Sequence, residues 1–224
     1  MLQAITANLQ MHIYSIFLWA IPYMQDLPFD INNVDADEIQ ALEATYHLLK
    51  GKFKVSVSED STFNIRDFDV FTHIDPENIG GTLLINHPES GCYLIFLKVN
   101  DPDSGKNHYK YQVWASATLR NNFGRLTVTH EKNADKMANP GHPTEVYFKD
   151  DPAFSKKFSV IAANKSQAQR SMTKAFRNVI TETGKTNWEI EIVNSSMVIG
   201  GVRPLDPKLT VYLAEIAGKF SRVK

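Results

Sequence analysis

Cysteine is nearly absent from this sequence: Cys92 stands alone among 224 residues. That excludes an internal disulfide framework and a multi-cysteine zinc site. Long apolar runs are missing as well. The longest, residues 13–24 (IYSIFLWAIPYM), has 12 residues, whereas a helix that crosses a bilayer needs roughly 20. Positions 1–49 contain no Lys or Arg and six acids. The apolar run therefore lacks the positive region that opens a signal peptide and the positive-inside cue. No internal repeat and no low-complexity tract occurs. Neither sign of charge dominates, since 24 bases oppose 25 acids for a net charge of −1. Whole-molecule attraction to nucleic acid gains no support from that balance.

What is present is the composition of an ordinary globular domain, 43% hydrophobic and 22% charged, with enough chain for a sizeable core. Residues 1–34 read as an apolar segment and linker. Residues 35–224 read as a single α+β domain with a weak internal boundary at 149–152 (Lys-Asp-Asp-Pro). Ile39, Leu42, Tyr46 and Leu49 share one face of a predicted helix over 35–50. Asp35 and Glu38 form its capping box, and Gly51 ends it.

Strands are predicted at 53–58, 68–71, 81–86, 92–99, 108–119, 125–129 and 145–148. The turn-forming stretch 100–107 (NDPDSGKN) is of hairpin length, so the middle section is predicted to be antiparallel. The tail reads β-α-β-β-α. It comprises a strand at 158–162, a helix at 165–180 capped by Asn164 or Ser166, and strands at 188–192 and 197–199. A closing helix follows the cap-and-proline pair Asp206-Pro207.

Several short motifs carry chemistry in other proteins and are incomplete here. Thr183-Gly184-Lys185-Thr186 ends like a phosphate-binding loop. The glycine required five residues before Gly184 is Val179, and the helix precedes the loop instead of following it. Asp101, Asp103 and Gly105 start like a calcium loop, but the sixth and twelfth positions are Lys106 and Gln112. Cys92 sits in the apolar run Tyr93–Phe96 and is expected to be buried and unreactive. No GxSxG elbow occurs. The His-carboxylate groupings are His73-x-Asp75-x-Glu77 and His87-x-Glu89. They would supply metal ligands or an acid–base pair only if the two loops met in space. No catalytic residue, metal ligand or cofactor is assigned.

Charge is concentrated in the tail. Residues 152–181 hold six bases and no acid. Arg170, Lys174 and Arg177 fall at i, i+4 and i+7, on one face of the predicted 165–180 helix. Exposed together, they would bind anionic surfaces through phosphate groups. The run His108-Tyr109-Lys110-Tyr111 alternates like an ordinary strand more than like a base-stacking platform.

A further pattern runs through residues 66–220. It comprises Phe68-Asp69-Val70-Phe71, then Asn78-Ile79-Gly80-Gly81 entering a strand, then the hairpin 92–119. Phe148-Lys149-Asp150-Asp151-Pro152-Ala153-Phe154 and the tract through Val160 complete it. Together these resemble an uncharacterised prokaryotic domain of unknown function that commonly follows transmembrane helices in membrane proteins. The resemblance implies a membrane-associated module and assigns no catalytic residues.

The first expectation is a non-enzymatic binding or scaffold domain. It is placed in the cytoplasm in association with a membrane, with an anionic membrane surface or a protein as partner. A second reading is a small hydrolytic or metal-dependent enzyme using the loops of His73, Asp75 and His87. A third, less favoured, is a nucleic-acid binder through the basic helix.

Overall fold

Alternating side chains across residues 54–200 assemble into one twisted sheet in the computed structural model, which describes residues 27–58, 64–87, 90–101, 108–130, 144–184 and 186–223. Among the described residues the sheet has nine strands: β1 (Lys54–Val57), β2 (Ile79–His87), β3 (Ser90–Asn100), β4 (Tyr109–Thr118), β5 (Arg125–His130), β6 (Thr144–Glu145), β7 (Phe158–Ala162), β8 (Glu189–Val193) and β9 (Ser196–Gly200). Their order is β1-β2-β3-β4-β9-β8-β5-β7-β6, and every neighbouring pair is antiparallel. The α+β reading and the antiparallel middle section both hold. Asn100 opposite Tyr109 marks the top of the β3–β4 hairpin; its tip, residues 102–107, lies outside the described residues. The β8–β9 hairpin inserts beside β4, Ala115 opposite Ile199, and so joins the tail to the middle in one sheet.

One face of the sheet carries the helices: α1 (Ala36–Lys52), α2 (Pro152–Lys157), α3 (Lys165–Ser171), α4 (Lys174–Thr183) and α5 (Pro207–Arg222). Leu83, Leu94, Phe96, Ala115, Ile192, Ile199 and Val160 face Leu42, Phe176, Leu213, Ile216 and Phe220 in this core. The opposite face is covered in part by three 3-10 turns, Ile65–Asp67, Asp69–Phe71 and Pro76–Asn78. Ile65, Phe68 and Phe71 pack there on Ile95, Leu97, Trp114 and Val198. Strand β3 lies under both layers, so residues 94–97 form an unbroken apolar run in place of an alternating one. Each large side chain buried in this way stabilises the fold by about 1.5–3 kcal/mol.

Four local expectations are corrected. Residues 68–71 are a 3-10 turn and no strand: Phe68 and Phe71 stand three apart, and both rings point into the second core. The box at α1 does not form, because the Asp35 carboxylate meets His108 at 2.9 Å and Glu38 accepts the Tyr111 amide at 2.7 Å. Tertiary partners have taken both groups from the helix end, and α1 runs on through Gly51 to Lys52. Of residues 145–148 only Glu145 joins the sheet, in the two-residue strand Thr144–Glu145. The helix at 165–180 is broken at Met172, and the Thr173 side chain caps a new helix at the Phe176 amide, 3.3 Å away.

Residues 27–34 pack on the domain. Phe29 is buried, and the Asp30 amide donates to the Gly80 carbonyl at 2.7 Å. The Tyr111 hydroxyl donates to the Asp30 carbonyl at 2.6 Å. A β-carbon on Gly80 would collide with that hydroxyl, and one on Gly81 would lie 2.7 Å from Phe29. The glycine pair is therefore a crossing point of two chain segments. Residues 13–24 lie outside the described residues. No helix among the described residues is long and apolar enough to cross a membrane.

Candidate functional site

The two histidine loops do not meet. His73 and Asp75 precede β2, and His87 ends it. A nine-residue strand at about 3.4 Å per residue separates its ends by roughly 27 Å. The Asp75 carboxylate caps its own turn, accepting from the Glu77 amide at 3.2 Å. His87 leans on Phe53 with ring centroids 5.3 Å apart, and burial, helped by Arg222, lowers its pKa. Glu89 lies outside the described residues. Among the described residues, no three His, Cys, Asp or Glu side chains are grouped to hold a metal ion.

Cys92 is fully buried, as expected. Its Sγ lies 3.8 Å from His87 Nε2 and donates to the Ala214 carbonyl at 3.7 Å. Burial pushes the thiol pKa up to about 12, so it stays protonated at neutral pH. Gly184 is the cap of α4 on the way to β8, a helix-to-strand turn as its context implied.

The basic cluster is divided. Arg170 and Lys174 are exposed, but Arg177 is buried, only 2% of its side chain accessible. The break at Met172 is the physical reason, since it ends the straight-helix register that would put all three on one face. Its Nε donates to Asp151 at 3.1 Å, one terminal nitrogen to Asp150 at 2.5 Å and the other to the Met172 carbonyl at 2.7 Å. The guanidinium also lies over the Phe148 ring, 4.6 Å from its centroid. This residue ties the 149–152 loop to the α3–α4 corner and is not available to a surface ligand.

Two further buried charges act as ties. Lys98 reaches Asp30 at 2.7 Å and holds that carboxyl below its usual range. Glu191 is 1% exposed. It accepts from the Val70 amide at 3.0 Å and from Arg125 at 2.9 Å. Arg125 also pairs with Asp69 at 3.1 Å and donates to the Asp67 carbonyl at 2.7 Å. Glu191 and Arg125 thus pin the 3-10 turns onto the sheet.

Beside these pinned turns the described residues leave the second face uncovered, and a cleft of about 310 Å³ forms there. Its floor is a row of small polar side chains, Ser116 and Thr118 of β4 and Ser196 of β9, with Tyr93 opposite Ser116. Asp67 and Phe68 wall one side and Asn194 the other. Asn194 adopts the left-handed conformation, φ 58°, at the β8–β9 turn, where asparagine is among the few residues that fit. The turn is anchored by amides of Leu119 and Phe123, which donate to the Ser195 and Asn194 carbonyls at 2.7 and 2.8 Å. Sequence reasoning found the turn but not the cleft, because its parts come from residues 64–68, β3, β4 and the β8–β9 hairpin.

No protein-family model matches the sequence, and no curated protein is similar to it in sequence. A solved structure shares the fold: the crystal structure of the mycobacterial trehalose monomycolate transport factor A, TtfA. It aligns with a TM-score of 0.50 at 8% identity, covering 80% of this chain and 91% of that one. At that identity the likeness shows architecture alone.

Proposed function

We propose that this chain is a non-enzymatic binding domain that works at a membrane surface and holds its ligand in the polar cleft. The lining of the cleft carries the reading. It presents hydroxyls, amides and the Tyr93 ring, and among the described lining residues the one carboxylate, Asp67, is joined by no imidazole, thiol or amine to complete an acid–base or nucleophilic pair. The buried charges Arg177, Lys98 and Glu191 are spent on internal ties. The proposal includes kinship of residues 66–220 with the prokaryotic membrane-protein domain they resemble. Attachment would combine the apolar residues 13–24 with the exposed Arg170 and Lys174. Two bases at about 1 kcal/mol each bind an anionic bilayer only loosely, so a second anchor is required.

Co-sedimentation of the intact chain with vesicles tests the membrane part. Anionic vesicles should retain the protein at low salt. An Arg170→Ala, Lys174→Ala variant should bind them up to about thirty-fold more weakly. Failure of the parent to bind any vesicle at low salt overturns the surface reading. Turnover of an ester, phosphoester or glycoside that disappears in Ser116→Ala overturns the non-enzymatic one.

A further inference from the structure

We infer that the cleft recognises a neutral polyhydroxylated group, a sugar ring free in solution or carried as the headgroup of a glycolipid. The inference rests on the binding reading above and names the ligand class of that same site. Three observations carry it. The floor is made of hydroxyls: Ser116, Thr118 and Ser196 lie on neighbouring strands of one sheet face. Cross-strand neighbours there stand about 4.5–5.5 Å apart, a spacing that suits the alternating hydroxyls around a six-membered ring. No hydrogen bond within the described residues uses these three hydroxyls, although Ser116 is only 5% exposed. Thr118 and Ser196 are exposed, and all three residues line the cleft.

The walls fit the same ligand. Tyr93 brings an aromatic ring to the lining, a partner for the apolar side of a sugar, and Asn194 and Asp67 add an amide and a carboxylate. Among the described residues that line the cleft there is no cation to meet an anionic ligand. Arg125, which donates to the Asp67 carbonyl, is committed also to Glu191 and Asp69, and Asp67 repels a phosphate. A purely apolar ligand would leave the floor hydroxyls unpaired. The volume, about 310 Å³, sits at the small end of ligand pockets and matches one ring better than a chain of them. Preorganisation is built in: Glu191 and Arg125 hold the Asp67 wall, and the anchored β8–β9 turn holds Asn194, so little ordering remains for the ligand to impose.

The test is a titration of the intact protein followed by amide chemical shifts. The probes are methyl β-D-glucopyranoside and maltose, glucose 6-phosphate, and ethanolamine. Vesicles of phosphatidylcholine with and without monogalactosyl diacylglycerol form a separate arm. Neutral sugars should bind in the millimolar range and shift the amides of Ser116, Thr118 and Ser196. A Ser116→Ala, Thr118→Val variant should weaken binding at least ten-fold. Asn194→Gly, which keeps the backbone conformation, should weaken it several-fold without loss of folding.

Recruitment only to the galactolipid vesicles supports the headgroup source, and binding of the free glucoside supports the soluble one. If glucose 6-phosphate or ethanolamine binds in the cleft and neutral sugars do not, the ligand class is overturned while the binding reading stands. Sugars that bind the folded variants as well as the parent overturn the site. If no probe and no vesicle binds, the cleft's ligand class is overturned, and the membrane reading falls with it when anionic vesicles also fail to retain the protein.

Discussion

Replacing Arg177 by methionine keeps most of the side-chain stem and removes the guanidinium from a place where it has four partners. The Met172 carbonyl then loses its donor, at about 1–3 kcal/mol for a buried unsatisfied group. The charged hydrogen bond to Asp151 adds about 1.5–3 kcal/mol, toward the lower value because that carboxylate keeps 19% of its surface in water. The stack on Phe148 adds about 1–2 kcal/mol. Against these stands the relief of a guanidinium desolvated to 2% exposure, worth several kcal/mol.

The net loss should be near the lower end for a broken buried pair, about 3 kcal/mol. For a chain of this size that lowers Tm by about 6–12 °C, readable by circular dichroism or calorimetry at pH 7. Arg177→Lys should recover little, since an ammonium cannot serve three acceptors in a planar fork. Asp150→Asn should leave Tm nearly unchanged, because Asp150 is 67% exposed. The Arg177 hydrogen bond also holds the Asp150 carboxyl below its ordinary value of 3.8. A lowered carboxyl contributes stability above the unfolded value and loses it as pH falls through the folded one, so the methionine variant should show a flatter acid limb. A variant that melts within about 2 °C of the parent would refute the reasoning.

Glu191 gives the opposite pH sign: burial raises its folded pKa above the ordinary 4.5, so the folded protein holds the proton more tightly than the unfolded chain. Stability therefore falls as pH rises from the unfolded value through the folded one, and Glu191→Gln should flatten that slope in urea midpoints taken across the range; an unchanged slope counts against the assignment. Gly80→Ala should cost about 2–3 kcal/mol in urea denaturation by driving a β-carbon into the Tyr111 hydroxyl. Gly51→Ala, in a helix with open space around it, should gain about 0.5–1 kcal/mol; a loss at Gly51 or neutrality at Gly80 would contradict the packing described. Cys92, with its thiol pushed up to about 12, should react with a maleimide only after unfolding, and rapid labelling of the native protein would show that the strand is not closed.

Local physics is legible in the sequence wherever one residue and its near neighbours settle the outcome. Asn164 and Asp206 cap α3 and α5 as their positions imply, accepting amides three residues on at 3.0 and 2.8 Å. Alternation at 189–193 marks a strand, and a loop of hairpin length forces β3 and β4 antiparallel. The pair Gly80-Gly81 has a physical role that sequence reading left open, for it is where two segments cross without room for side chains.

What pairs with what was decided elsewhere. Asp35 and Glu38 have the spacing of a capping box, but His108 and the Tyr111 amide lie 73 residues away and compete for the same oxygens. Arg170, Lys174 and Arg177 share a face only if the helix is straight. Thr173 can cap as well as continue a helix, and the 149–152 loop supplies carboxylates that reward the break. Glu191 alternates like a surface residue until the 3-10 turns fold over it. The cleft is the extreme case. Its hydroxyls are ordinary strand residues one by one, and only the insertion of β9 beside β4, with a pinned wall next to them, sets them side by side. Sequence period reports which face a side chain takes; it carries no information about which strand, turn or loop, distant along the chain, arrives to meet it.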